Sequence, residues 1–361
     1  MMYPERGTSA HINLSHLLHN IEVFKKLHPG PIMAVVKADA YGHGLARVTD
    51  SLKSCDALAV ATIEEAMQLR SFIPDKRILL LEGVFNAEEL ELAIEQRFDL
   101  VVHQFYQLDV LLKSSNAKPL LNVWLKVDTG MHRLGFDWAD YPQVLDQLKQ
   151  VKMIKEIRLM AHFAQSDQVD HQQTQLQLQR HQILQQHDFE CSFANTGAVL
   201  NGLSCAGEWA RVGLGLYGIS PLADRFAADF DLRPVMQLSA KLISIKTVKQ
   251  AETVGYSAQF TCLQDMLVGI VGMGYADGYP WSEHHSHVVI RGHQAPIIGR
   301  ISMDMMAIDL SAVKQPLIGE PVHIWGSEQA VEQVAKELHT IPYTLVCGIT
   351  GRVKFHVIDS L

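Results

Sequence analysis

The residues of this chain that could do chemistry each follow a short apolar run. Lys37 comes directly after MAVV in AVVKADAYGHG (34–44). A lysine held at a strand end and stripped of solvent loses its proton near neutral pH, and the free amine can form a Schiff base with an aldehyde. An ordinary strand-end lysine with its head in water fits the same position equally well. Tyr41 and the glycines of AYGHG offer a phenol and close backbone approach to an anion. Lys126, Asp128 and Arg133 fall together in KVDTGMHRLGF (126–136), where Arg133 could hold a carboxylate in a bidentate pair. His162 ends another apolar run, Asn195-Thr196-Gly197 a further one, and Arg211 and Gly213 lie in the last.

These residues can share one face only if the elements beneath them bring their ends together. Eight β-branched, apolar runs occur at 31–37, 57–61, 77–81, 99–103, 120–127, 156–163, 189–194 and 208–218, separated by stretches of helical periodicity. In the first cycle Ser15 is a suitable N-cap, Leu17, Leu18, Ile21 and Phe24 form a stripe, and Pro29-Gly30 ends the helix. Eight such cycles predict an α/β fold, a (β/α)8 barrel whose working face lies at the C-terminal strand ends, with phosphate commonly bound after strands seven and eight. An open doubly wound sheet is the alternative, but it would carry GxGxxG after its first strand, and KADAYGHG stands there. Beyond about 230 the pattern turns to strands broken by Gly, Pro and Asp, with one helix in VEQVAKELHT. The expected domains are a barrel over 10–230 and a mostly-β domain over 231–361 joined by residues 1–9, with the change near LADRFAADFDLRP (222–234).

Composition narrows the partner class. Of 361 residues, 48% are apolar and 19% charged, which excludes disordered, collagen-like and disulfide-scaffold readings. With 31 Lys and Arg against 39 Asp and Glu, the net charge of -8 gives no footprint for nucleic acid or an anionic membrane, so a small-molecule substrate is expected. Five scattered cysteines without CxxC spacing read as free thiols in a cytoplasmic protein, and neither an export signal nor a membrane span is expected. The pair His284-His285 has no third ligand at useful spacing, so no metal is expected.

AVVKADAYGHG resembles the cofactor-lysine signature of the alanine racemase family. KVDTGMHRLGF, MAHFAQSD (160–167), NTGA (195–198), ARVGLGLYG (210–218), VGYSAQF (254–260), GYADGYP (274–280), GRISMD (299–304) and TIPYTL (340–345) follow in the family's order over nearly the whole chain. The resemblance implies a barrel joined to a β domain, pyridoxal 5'-phosphate held by Lys37, and interconversion of L- and D-alanine, the latter for peptidoglycan precursors. It implies that Tyr256 is the second acid/base, on the opposite face of the substrate α-carbon and supplied by a partner subunit, hence a homodimer with shared active sites. By itself Tyr256 would read as a strand tyrosine packing in the β domain. Arg211 matches the arginine facing the pyridine nitrogen, and His162 the histidine beside the ring. Tyr41, Thr196, Tyr343 and the backbone at Gly213 and Leu214 match phosphate ligands. Arg133 and the backbone at Met303 match the substrate-carboxylate site, and Lys126 matches a lysine often carbamylated in the family, which positions that arginine. Tyr275, Arg300 and Asp304 match a narrow entrance. Trp281 stands where an arginine is frequent, and Thr196 where serine is also common.

Three other activities fit parts of the pattern. A racemase of serine or lysine would need a wider entrance, which Trp281 could provide. A decarboxylase on the same fold would labilise a carboxylate rather than clamp it, against Arg133 and the Tyr256 segment. A non-catalytic pyridoxal-phosphate carrier would need neither residues 231–361 nor a second base.

Overall fold

The protein is described here from a computed structural model, over residues 6–114, 118–205, 207–284 and 286–358. It divides into two compact units: Leu18–Leu216 with Ser220–Arg225, and the described residues up to Leu17 with Tyr217–Ile219 and Phe226 onward. The first strand, β1 (Ser9–Asn13), belongs to the second unit.

The first unit is a parallel barrel. Its strands are β2 (Ile32–Val35), β3 (Ala57–Val60), β4 (Ile78–Leu80), β5 (Asp99–Val102), β6 (Leu121–Lys126), β7 (Ile154–Met160), β8 (Cys191–Ser192) and β9 (Ala210–Val212). They pair in chain order, and β9 returns to β2, with Met33 opposite both Ala57 and Arg211. Backbone bonds Trp209 N–H to Cys191 O (2.8 Å) and Arg211 N–H to Ala194 O (2.9 Å) join β9 to the end of β8 and complete the ring. β2 to β5 are buried along their whole length, as strands covered on both faces must be, and this explains why their sequences read as unbroken apolar runs. Helices return the chain between strands, with starts set by side-chain caps such as Thr62 with Glu65 and Asn86 with Glu89.

The second unit also closes a barrel. Its strands include β10 (Met236–Val248), β13 (Met266–Val271), β14 (His287–Ile290), β15 (His293–Ile298), β16 (Met306–Asp309) and β17 (Pro321–Trp325), while β11 (Thr253–Val254) and β12 (Phe260–Thr261) form a separate hairpin. The long strand β10 pairs β17 through its first half and β13 through its second, with an irregularity between Leu242 and Ser244. Since β13, β16, β15, β14 and β17 pair in that order, six strands make a closed antiparallel ring, to which β1 and β18 (Lys354–Ile358) attach. Among the described residues no helix is long and apolar enough to cross a membrane.

Several local expectations are corrected. Asn13, not Ser15, caps the helix Leu14–Leu27, its Oδ1 accepting from the His16 amide at 3.2 Å. Leu18 is exposed while Leu17, Ile21 and Phe24 are buried, because the stripe is narrower than four residues. The barrel unit begins at 18 rather than 10, since β1 is held by strands of the β unit on both sides. The run 208–218 is a strand only over Ala210–Val212 and continues as a 3-10 turn, Leu214–Tyr217. Among the described residues past 226 there are two α-helices and not one, Val331–Glu337 and Pro342–Cys347, the second opened by a proline at its first position.

Candidate functional site

The chain directly after Lys37 is strained. Ala38, Asp39, Ala40 and Tyr41 take φ of 53°, 52°, 55° and 53°, a full left-handed turn built without glycine. Each such residue costs roughly 1–2 kcal/mol against its right-handed form, so neighbouring contacts must hold the turn. Gly42, at φ 76°, ends it, and its amide bonds the Ala38 carbonyl. The turn buries Tyr41 and leaves Lys37 exposed at the end of β2.

Four cations gather in the barrel unit. Lys126, buried at the end of β6, has its pKa lowered to about 7 by desolvation, with Arg211, Arg133 and Lys37 all pushing the same way. Arg211, buried on β9, donates from Nη1 to Ser192 O (2.7 Å) and from Nη2 to Ala161 O (2.7 Å) and His162 Nδ1 (3.0 Å). Burial lowers its pKa to about 10, which still leaves it charged at neutral pH. A guanidinium has no acceptor, so His162 Nδ1 must accept, and its proton is assigned to Nε2. Desolvation holds His162 well below its usual value, and Arg211, Lys126, Arg133 and Lys37 add to the effect. The imidazole is therefore neutral and hydrogen-bonded through its edge to a permanent cation. A cluster of this sign attracts anions.

The loop from β6 carries Arg133 and is organised by Asp128. Its Oδ1 accepts from the amides of Gly130 (2.8 Å), Met131 (3.0 Å) and His132 (3.1 Å). The Gly130 and His132 amides, with the His132 ring 3.1 Å from Oδ2, keep its carboxyl below the usual range although burial opposes them. Gly135, at φ 126°, lets the loop fold back onto the strand, where an added Cβ would lie 2.7 Å from the Asp128 amide. Asp128 thus shapes the loop, and Arg133 stands exposed upon it.

The ends of β8 and β9 form a cradle. Asn195 caps the helix Thr196–Leu200, and the Gly213 amide donates to Thr196 Oγ1 at 3.1 Å. A Cβ on Gly213 would collide with the Tyr41 hydroxyl and lie 3.0 Å from its Cζ, so the phenol fills the space that only glycine leaves open. Tyr41, Thr196, Gly213 and the neighbouring Leu214 are all buried. Phenol, threonine hydroxyl and glycine backbone beside fixed cations form a donor set suited to phosphate.

In the β unit, Tyr256 sits on the turn of the β11–β12 hairpin and is 70% exposed. Gly255, Ser257 and Ala258 all have positive φ, and Val254 and Phe260 pack this hairpin onto Cys262, Met266, Val268, Ile298 and Ala307. Arg300 reaches the same turn, Nη1 donating to Ser257 Oγ at 2.9 Å. Tyr275 and Met303 are brought together, since the amides of Tyr275 and Ala276 bond the carbonyls of Ser302 (3.1 Å) and Met303 (3.0 Å). Asp304 joins them through Arg352 Nη2 (2.7 Å). Tyr343 lies half-buried in the helix Pro342–Cys347.

The barrel unit therefore gathers Lys37, Tyr41, Lys126, Arg133, His162, Thr196, Arg211, Gly213 and Leu214, and the β unit gathers Tyr275, Met303 and Asp304 on one stretch, with Tyr256 and Arg300 on another. Two supporting groups escaped the sequence reading. Fully buried Asp277 accepts from Arg6 Nη1 (2.8 Å) and the Gly274 amide (3.0 Å), with Arg352 at 3.4 Å, and so ties the Tyr275 turn to Asp304. Its place inside GYADGYP was the available signal. Glu65 binds the Ala38 amide, and only the Thr62–Glu65 capping spacing pointed to it. Among the described residues no group of three or more His, Cys, Asp or Glu could hold a metal ion; His284 stacks on His339, and His285 lies outside the described residues.

Residues 12–221 match the family model for the alanine racemase N-terminal domain, and 235–357 that for the alanine racemase C-terminal domain. An alanine racemase of Stutzerimonas stutzeri (strain A1501) is 41% identical over 352 residues, covering 96% of this chain and 98% of that protein. The crystal structure of the biosynthetic alanine racemase from Pseudomonas aeruginosa superposes with a TM-score of 0.95 at 40% identity, over 98% of this chain and all of the other. That of a Bartonella henselae alanine racemase with covalently bound pyridoxal phosphate gives a TM-score of 0.88 at 27% identity, over 98% of this chain and all of the other.

Proposed function

The chain belongs to the alanine racemase family and is an amino-acid racemase acting on alanine; we propose that it works with pyridoxal 5'-phosphate held at Lys37 and with Tyr256 as the opposing acid/base. The observation that carries the reading is the cationic group of Lys37, Lys126, Arg133 and Arg211, set beside a cradle of Tyr41, Thr196 and Gly213 in the barrel unit. Both the cofactor's phosphate and the substrate's carboxylate are anions, so this field suits each of them.

The bound cofactor would supply an aldehyde for the substrate amine and a ring that withdraws the electron pair of the α C–H bond. Tyr41, Thr196 and the backbone of Gly213 and Leu214 would hold its phosphate, a role the family's pattern also gives to Tyr343. Arg211 would donate to the ring nitrogen without surrendering its proton, and neutral His162 would stand beside the ring. Arg133 would hold the substrate carboxylate, a role the family's pattern shares with the backbone at Met303. Lys126, half-neutral at about pH 7, is nucleophilic enough to take up carbon dioxide, and the resulting anion would steady Arg133. The family's pattern gives Tyr275, Arg300 and Asp304 the role of a narrow entrance.

Racemisation needs a proton removed on one face of the α-carbon and returned on the other, so one base is not enough. Lys37 Nζ serves one face and the Tyr256 hydroxyl the other. The 70% exposure of Tyr256, with the exposed apolar groups Tyr275, Trp281, Met303 and Ile341 in the same unit, supports a homodimer in which the phenol serves a second subunit. The proposed compartment is the cytoplasm, in keeping with five free thiols.

A chiral assay of the common amino acids tests the substrate. Alanine should racemise fastest; inert alanine with turnover of serine or lysine would reject the reading. Lys37→Ala should abolish the visible band of the bound cofactor, and an unchanged spectrum would remove Lys37 from its role.

A further inference from the structure

We propose that Glu65 is a positioning residue for Lys37, acting by pinning the left-handed turn that follows it. The inference rests on the reading of Lys37 given above. Glu65 is half-buried on the first turn of the helix Ile63–Phe72, just past the end of β3. Its Oε1 accepts from the Ala38 amide at 2.7 Å, and its Oε2 accepts from the amides of Ala61 (2.9 Å) and Thr62 (3.4 Å). One carboxylate therefore joins the residue after Lys37 to the end of the neighbouring barrel strand.

The far end of the turn is held by other groups. Backbone bonds run from Ala40 to Val36 (3.0 Å), Gly42 to Ala38 (3.0 Å) and Gly44 to Asp39 (2.9 Å), and Asp39 Oδ1 accepts from the Leu45 amide at 2.7 Å. Among these bonds, the one at the Ala38 amide fixes the peptide that leaves Lys37, and like the Asp39 bond it has a carboxylate acceptor, which makes it the stronger kind. Without it, the residues that set the stem of Lys37 and the position of Tyr41 are free to relax toward right-handed geometry. The competing role is plain helix capping, because Thr62 and Glu65 also form a capping box.

Thr62→Ala separates the two roles, since it breaks the cap and leaves the Ala38 contact intact. Holoenzymes of wild type, Glu65→Ala, Glu65→Gln and Thr62→Ala would be diluted, and cofactor loss followed by the visible band alongside thermal midpoints. Glu65→Ala should weaken cofactor retention by about tenfold, the scale of one lost charge-assisted bond. Glu65→Gln should fall between it and wild type, because one terminal atom still accepts. Thr62→Ala should melt earlier yet retain cofactor like wild type. Retention equal to wild type in either Glu65 variant, or an equal loss in Thr62→Ala, would overturn the proposal. Wild type that binds no pyridoxal phosphate would instead defeat the assignment of Lys37, so the two failures are distinct.

Discussion

Replacing Gly213 with alanine probes the cradle with a single methyl group. The backbone at Gly213 does not require a positive φ, so the change is steric and not conformational. Its Cβ would collide with the Tyr41 hydroxyl and lie 3.0 Å from Cζ and 3.5 Å from Cε2. To regain ordinary van der Waals separation the phenol must retreat by about 1 Å. It cannot do so cheaply, because Tyr41 is buried and closes a left-handed turn. Overpacking of this kind costs about 1–3 kcal/mol. A displacement of about 1 Å in a positioning group can cost on the order of a hundredfold. Gly213→Ala should therefore lower the thermal midpoint and weaken pyridoxal-phosphate binding by about ten- to a hundredfold, read by titrating the apoenzyme at the visible band. Adding Tyr41→Phe removes the worst clash, so the double variant should lose less stability than the two single losses combined. Wild-type affinity and melting in Gly213→Ala would refute both the cradle and its assignment to phosphate.

Other perturbations reach other parts of the site. The neutral fraction of Lys126 grows as pH rises through about 7, so uptake of labelled bicarbonate, followed by carbon NMR, should increase upward through that pH and vanish in Lys126→Met; uptake independent of pH would contradict the lowered value. Tyr256→Phe should keep cofactor but slow loss of the α-proton from one enantiomer by about 10²–10⁴-fold; full turnover in both directions would dismiss the second base. Asp277→Asn leaves Arg6 and Arg352 without their buried carboxylate, and a lower midpoint is expected in urea unfolding. An unchanged midpoint would show that the network does not support the Tyr275 turn.

Some of this was legible in the chain and some was not. The barrel was, because parallel strands buried on both faces leave unbroken apolar runs such as IMAV, ALAV and DLVV. The β unit was legible as strands but not as a ring, since nothing local records that β10 pairs β17 with one half and β13 with the other. The cap of the first helix was misplaced by two residues because Asn13 and Ser15 are both good caps and only the pairing of β1 chooses between them. Lys37, Arg133, His162 and Arg211 could be named from residue type and position after an apolar run. The roles of Glu65 and Asp277 could not, because a carboxylate that accepts from a distant backbone or guanidinium looks in sequence like any surface acid.

The sequence by itself determined the kinds of group present, their order along strand ends and the family to which they belong, because these depend on local periodicity and motif. The tertiary structure decided which groups feel one another. The Lys126 pKa falls to about 7 because burial in the barrel desolvates the amine and three cations lie near it. His162 has its tautomer assigned only by Arg211, 49 residues away. Four residues after Lys37 stay left-handed although each locally prefers otherwise, and the contacts that hold them come partly from another strand. Such effects depend on distance through space and on burial, and neither can be read from spacing along the chain.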